Sequence, residues 1–294
     1  MRKIKKILQA KPTLEGAGVH LQRVFGYYDT PSFDPFLMLD DFRNDDPAKY
    51  LAGFPWHPHR GIETITYMLE GSAEHGDSIG NKGVIRRNEV QWMTAGSGII
   101  HQEMPKPDEK GRMYGFQLWA NLPASHKMID PRYQEIKAEE IPVVKLPSGE
   151  EIKIICGSYQ DVKGPVKDIV IDPQFWDVKI PAERETELPT PEGHTCFIYA
   201  FAGEARIEGH NVVNRQIILF ADGDRIKIKS GPEGFRMLFL CGKPLNEPIS
   251  WRGPIVMNTR KEIDQAFRDL QQGTFIKKTE TLPESEANIF YTEE

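Results

Sequence analysis

Two stretches of the chain, 132 residues apart, read alike, and this repeat constrains the fold more than any other feature. Gly61, Tyr67, Gly71 and Ala73 recur as Gly193, Tyr199, Gly203 and Ala205. Further on, Val90 to Gly96 is echoed by Ile218 to Gly223, and Arg112 and Met113 by Arg236 and Met237. Solenoid units run to about 20–50 residues, so a period this long predicts two copies of one domain in tandem. The segments themselves are short runs of β-branched and aromatic residues separated by Gly, Pro, Asn and Asp. Ile62 to Leu69, Tyr114 to Trp119, Ile152 to Cys156, Phe197 to Phe201, Ile217 to Phe220, Arg225 to Lys229 and Arg236 to Cys241 are examples. Such spacing predicts an all-β sandwich or barrel.

The length of 294 residues agrees with two domains. The division is expected near Pro131, giving domains 1–135 and 136–294. One helix is predicted near the end. Thr259 and Glu262 form a capping box, Ile263, Ala266, Phe267 and Leu270 follow at helical spacing, and Gly273 marks a stop. The acidic stretch Glu280 to Glu294 reads as a loosely packed arm.

With 37 basic against 43 acidic residues, the chain carries a net charge of −6. That argues against direct nucleic-acid binding, which needs a basic face to neutralise phosphates. No run approaches the ~18 apolar residues of a membrane span, so no membrane partner is expected. The basic start, Met1 to Leu8, lacks the apolar core and cleavage site of a secretory signal. Cys156, Cys196 and Cys241 are far apart and odd in number, and read as reduced thiols of a cytoplasmic protein. A reducing compartment also suits a ferrous site.

The chemistry concentrates in two short strings. His57 and His59 lie two apart, and on a strand that spacing puts both imidazoles on one face. His101 and Glu103 repeat the spacing just after the Gly96-Ser97-Gly98 turn. On neighbouring strands the two pairs would converge as three nitrogens and one carboxylate oxygen. That set leaves two positions of a six-coordinate metal open, and it suits iron, nickel, cobalt, copper or manganese better than closed structural zinc. Taken alone, either pair also fits plain exposed imidazoles; the combination points to a metal. Glu63 competes for the carboxylate role. It shares strand parity with His59 but sits about 13 Å further along a straight strand, so it reaches the ion only if the chain bends at Arg60 and Gly61. Glu103 is the preferred ligand, with Glu63 facing inward. Gln117 is a candidate to reach the site, and Trp56, Trp92 and Trp119 are candidates to line an apolar pocket. At the repeat offset His57, His59 and Glu63 become Pro189, Pro191 and Thr195, so the second copy lacks the set. His20, His75, His126, His194 and His210 are read as isolated.

The chain resembles the pirin family of the cupin superfamily over nearly its whole length. The resemblance rests on Phe54-Pro-x-His57-Pro-His59-Arg-Gly-x-Glu63-Thr64 and on Gln91-Trp-Met-Thr-Ala-Gly96-x-Gly98-Ile-x-His101-x-Glu103-Met104-Pro105. It continues through Gln117-Leu-Trp-x-Asn121-Leu-Pro123, Pro131-x-Tyr133-Gln134, Gly242-Lys-Pro-Leu245 and Gly253-Pro-x-Val256-Met-Asn258-Thr259. It implies two tandem cupin (jelly-roll) β-barrel domains, a bicupin, with a short C-terminal helix. It also implies that His57, His59, His101 and Glu103 hold one divalent transition metal in the N-terminal domain. Fe(II) comes first, with Ni, Co, Cu, Mn and Zn as alternatives. The implied activity is that of a quercetin 2,3-dioxygenase, which opens the central ring of a flavonol with dioxygen and releases carbon monoxide. Glu103 is then the catalytic base. The family also implies an alternative, an iron-dependent regulator that binds a protein partner such as a transcription factor or a metabolic enzyme.

Overall fold

The structure, a computed structural model, describes residues 1–277; the expected acidic arm lies outside the described residues. Its regular structure is mostly strand, and the predicted helix spans Arg260–Gln271. Both halves of its capping box are present, with Thr259 accepting from the Glu262 amide and Glu262 accepting from the Thr259 amide. Among the described residues no helix is long and apolar enough to cross a membrane.

Two compact units form, but they are not the two halves of the chain. One unites residues 1–11, 24–36 and 139–245; the other unites 12–23, 37–138 and 246 onward. This differs from the division at 135/136. The sequence repeat reports which segments are alike, and it is blind to an exchange of ends. The exchange is driven by long-range pairing: Ile4–Gln9 adds to Gln216–Phe220 as an antiparallel edge strand. Residues 246–277 in turn belong to the unit that carries the histidines.

The histidine unit has two large sheets besides the two-stranded pair Ser250–Arg252 and Ile255–Met257. A seven-stranded sheet runs in the order Arg132–Ile136, Val90–Thr94, Ile62–Glu70, Tyr114–Asn121, Phe36–Asp41, Val19–Phe25, Lys11–Glu15. A four-stranded sheet runs Phe54–His59, Ile99–Lys106, Ser72–Asp77, Lys82–Ile85. The strand Ile62–Glu70 is buried along almost its entire length, so its composition is apolar and β-branched on both faces. On the four-stranded sheet the C-terminal helix packs Ile263 and Ala266 with Ile100, Ile255, Met257 and Phe275.

The other unit is a nine-stranded sheet around a dense apolar core in which Trp176 stacks on Phe239 at 4.3 Å between centroids. Ile154, Ile198, Ile226, Ile228 and Phe235 fill the rest, and among the described residues no group of metal-ligating side chains gathers in this unit. The repeat is nevertheless visible in the backbone. Gly71 (φ +76°) follows the strand Ile62–Glu70, and Gly203 (φ +68°) sits at an irregularity within the strand Thr195–Ile207; both are in the left-handed region. A Cβ would lie 2.7 Å from the Arg112 carbonyl oxygen at Gly71, and 2.1 Å from the Gly234 oxygen at Gly203. Only glycine meets both demands, which explains why these residues recur.

Candidate metal centre

The strand Phe54–His59 pairs antiparallel with Ile99–Lys106 so that His57 faces His101 and His59 faces Ile99. Alternation therefore brings His57, His59 and His101 together on one face. Their ring centroids are 4.8, 4.3 and 5.0 Å apart, and one nitrogen of each lies within 4.8 Å of the others. His59 and His101 are fully buried and His57 is partly so.

The nitrogens not facing the cluster fix the rings. His57 Nδ1 donates to the Pro55 carbonyl at 2.8 Å and His59 Nδ1 to the Pro254 carbonyl at 3.1 Å. Each tautomer so defined leaves the Nε2 lone pair free. Among the described residues His101 has no hydrogen-bond partner on either nitrogen. Burial lowers all three pKa values, and mutual repulsion adds to the effect at His59 and His101. The rings are therefore neutral near pH 7, as ligands must be. A buried imidazole with two unsatisfied nitrogens costs stability unless something else engages it. The donor set thus fits a divalent transition metal.

This sets an acid dependence for the metal-free protein. The unfolded chain takes up protons below about pH 6.5 that the buried rings refuse, so stability is full above that pH and falls as pH drops. The slope is up to about 1.4 kcal/mol per pH unit for each imidazole. Urea denaturation of chelator-treated protein at pH 7.5 and pH 5.5 measures it, and equal midpoints would contradict the assignment.

Glu103 is not among the three side chains whose ligand atoms lie within 4.8 Å of one another. The register slip lies on the partner strand, where Phe54 and not Pro55 meets Glu103, while Glu103 keeps the alternation of His101, pairing with His75 as His101 pairs with Asp77. The Glu103 carboxylate accepts from Thr66 Oγ1 at 2.9 Å and from Gln117 Nε2 at 2.9 Å. Gln117 thus reaches the site. Glu63 does not. The chain turns at Gly61 (φ +79°), and because Thr66 faces Glu103, Glu63 three residues earlier faces the other way. Glu63 is buried and accepts from Thr94 Oγ1 at 2.7 Å.

His75, read as isolated, belongs to the same neighbourhood. His75 and Asp77 have the i, i+2 spacing of the other pairs, and they sit opposite Glu103 and His101. His75 lies 3.2 Å from Asp77 Oδ2 and 2.7 Å from Gln91 Nε2, stacks on Tyr133, and lies 5.5 Å from the His101 ring. The spacing was available in the sequence as a signal. The Pro254 carbonyl, 195 residues beyond His59, had none.

Beside Glu103 lies a cavity lined by Leu21, Phe42, Phe54, Met68 and Met113, with Asp40 the further acid in its wall. Arg23 grips both Asp40 oxygens at 2.8 Å, yet burial pushes that carboxyl up to about 6. None of Trp56, Trp92 and Trp119 lines this cavity; Trp119 instead meets the His59 ring edge-on at 5.0 Å.

The pirin family model matches residues 18–120, and the model of the pirin C-terminal cupin domain matches residues 175–276. The chain belongs to the pirin family. A pirin-like protein of Caulobacter vibrioides is 43% identical over 276 residues, covering 94% of this chain and 99% of its own. A solved structure of quercetin 2,3-dioxygenase from Acinetobacter baumannii has a TM-score of 0.87 at 33% identity, covering 94% of this pirin and 98% of that chain. A bacterial pirin from Escherichia coli in complex with nickel(II) shares the fold, with a TM-score of 0.62 at 23% identity over 81% of this pirin and 99% of that chain. The fold of this pirin is accordingly that of two cupin-type domains with a short C-terminal helix.

Proposed function

We propose that this pirin is a cytoplasmic, metal-dependent dioxygenase that opens the central ring of a flavonol such as quercetin, with release of carbon monoxide. The observation that carries this reading is the set of three neutral, buried imidazoles whose free nitrogens converge beside a carboxylate and an apolar cavity. The name of the Acinetobacter baumannii relative supports it. His57, His59 and His101 would hold the ion, with Glu103 as the fourth ligand through a lone pair that Thr66 and Gln117 leave free. Iron(II) is the first choice, and nickel the second to test. When bound, the ion supplies Lewis-acid stabilisation of the substrate oxyanion and the redox chemistry that dioxygen needs.

The chain's own residues do the rest. Glu103 takes the proton of the flavonol 3-hydroxyl. Thr66 and Gln117 hold its two oxygens in register for that transfer. The apolar wall excludes water and accepts a flat ring.

The test is aerobic incubation of protein loaded with iron or nickel. Loss of flavonol absorbance beyond that of the free metal, with carbon monoxide evolved, is expected. No excess loss with either metal would reject the reading. Glu103→Gln should lower turnover about 10²–10⁴-fold. Full turnover in that variant would remove Glu103 as the base.

One observation favours a second reading, an iron-dependent regulator that binds a protein partner. The free space of the cavity is only ≈30 Å³, room for one or two waters, so a flavonol must displace lining side chains. Capture of a partner that depends on metal state, with no flavonol turnover, would favour this reading.

A further inference from the structure

The apolar unit carries a cleft of its own, far larger than the cavity beside Glu103. It measures ≈340 Å³ and is walled by strand ends and by the N-terminal segment. Its floor follows from register. Glu185 pairs with Lys229, and Lys229 with Arg206, so the three form one row across adjacent strands. Along Arg225 to Ser230 the burial alternates strictly, which turns Lys227 and Lys229 outward and Ile226 and Ile228 into the core.

The charges in this cleft do not balance. Lys3 is paired with Glu208 at 2.8 Å and Lys227 with Glu185 at 2.7 Å. The Arg2 guanidinium is spent on Thr190 Oγ1 and on the carbonyls of Ala221 and Pro191. Arg206 and Lys229 remain, and neither has an acidic partner among the described residues. They are also direct cross-strand neighbours, and like charges in that position destabilise a sheet. The local sequence offers no relief, because both nearby acids are already engaged.

We propose that the cleft is a binding site for a small molecule bearing a tetrahedral oxyanion, a phosphate ester in the first place. Arg206 presents a planar fork to two of the oxygens and Lys229 a point charge to a third. The ligand supplies the negative charge that the row lacks. The cavity beside Glu103 has the opposite character, with Glu103 and Asp40 in its wall, so it repels the same ligand. This proposal is independent of the reading of the metal centre.

Inorganic phosphate is the probe, titrated against the full chain at constant ionic strength with chloride as the compensating ion. Thermal unfolding and ³¹P line width are followed together. A saturable rise in Tm of about 3 °C at ten times Kd is expected. The double variant Arg206→Ser, Lys229→Ser should bind phosphate at least tenfold more weakly, while its Tm without phosphate is no lower than that of the parent. Lys179→Ser, an exposed change on the same unit outside the cleft, should bind as the parent does. A rise that is linear in phosphate, or equal in the parent and the double variant, would overturn the proposal.

Discussion

Replacing His101 with leucine should raise the stability of the metal-free protein by about 1–3 kcal/mol and abolish its capacity to hold a metal. Both nitrogens of this ring are buried without a partner among the described residues. Each therefore carries the desolvation cost of a polar group with no hydrogen bond in return. Leucine is of similar size and removes that cost. With metal present the order reverses. An ion that binds only the folded state stabilises it by RT ln(1 + [M]/Kd), about 4 kcal/mol at a thousandfold excess over Kd, and the variant forgoes this gain. Urea denaturation of parent and variant, each with chelator and with added iron or nickel, gives all four values. Elemental analysis of the purified proteins reports occupancy. A variant less stable than the parent under chelator, or one that keeps its metal, would remove His101 from the centre.

The second large effect is expected at Arg60, next to His59. Its guanidinium is buried and donates to the Ser97 carbonyl at 2.7 Å, to Asp269 Oδ2 at 2.7 Å and to the Phe275 carbonyl at 2.9 Å, with the Phe275 ring 4.2 Å from its centre. Burial opposes ionisation of Asp269, but Arg60, Gln265 and Lys277 outweigh it and draw the carboxyl down to about 2. Arg60→Met leaves that carboxylate buried with its main partner gone, a change that costs about 3–5 kcal/mol. It also loosens the segment whose Pro254 carbonyl orients His59. Losing such an orienting contact typically weakens metal binding about 10–100-fold. Arg60→Lys keeps the charge but not the fork, so it should fall between the two. Chemical denaturation and a competition assay with a coloured chelator separate the two losses. Metal affinity equal to that of the parent in a folded Arg60→Met protein would show that the C-terminal segment does not set the ring.

Lys127 works at the same junction. Its buried ammonium donates to the carbonyls of Gly61 and Val256, at 2.8 and 3.0 Å, and to Asn121 Oδ1 at 2.6 Å. Burial lowers its pKa to about 7. The turn between the histidine strand and the next strand is thus held from the far end of the chain. It is a contact that no local pattern announces.

What the sequence determined on its own is local in origin. Alternation of side chains along a strand made His57 and His59 neighbours, and it does the same for His75 and Asp77. The capping residues Thr259 and Glu262 set the start of the helix, and glycines at 71 and 203 marked left-handed backbone positions with no room for a Cβ. The tertiary structure alone decided the rest. The pairing of strands distant in sequence set Thr66 and Gln117 against the Glu103 carboxylate. The bend at Gly61 reset the parity that would have turned Glu63 toward the histidines, and Glu63 is buried against Thr94. The two ends of the chain were exchanged between units because strand pairing rewards hydrogen bonds at any sequence separation. A repeat read along the sequence measures likeness, whereas contact is settled by which edges find each other when the chain closes.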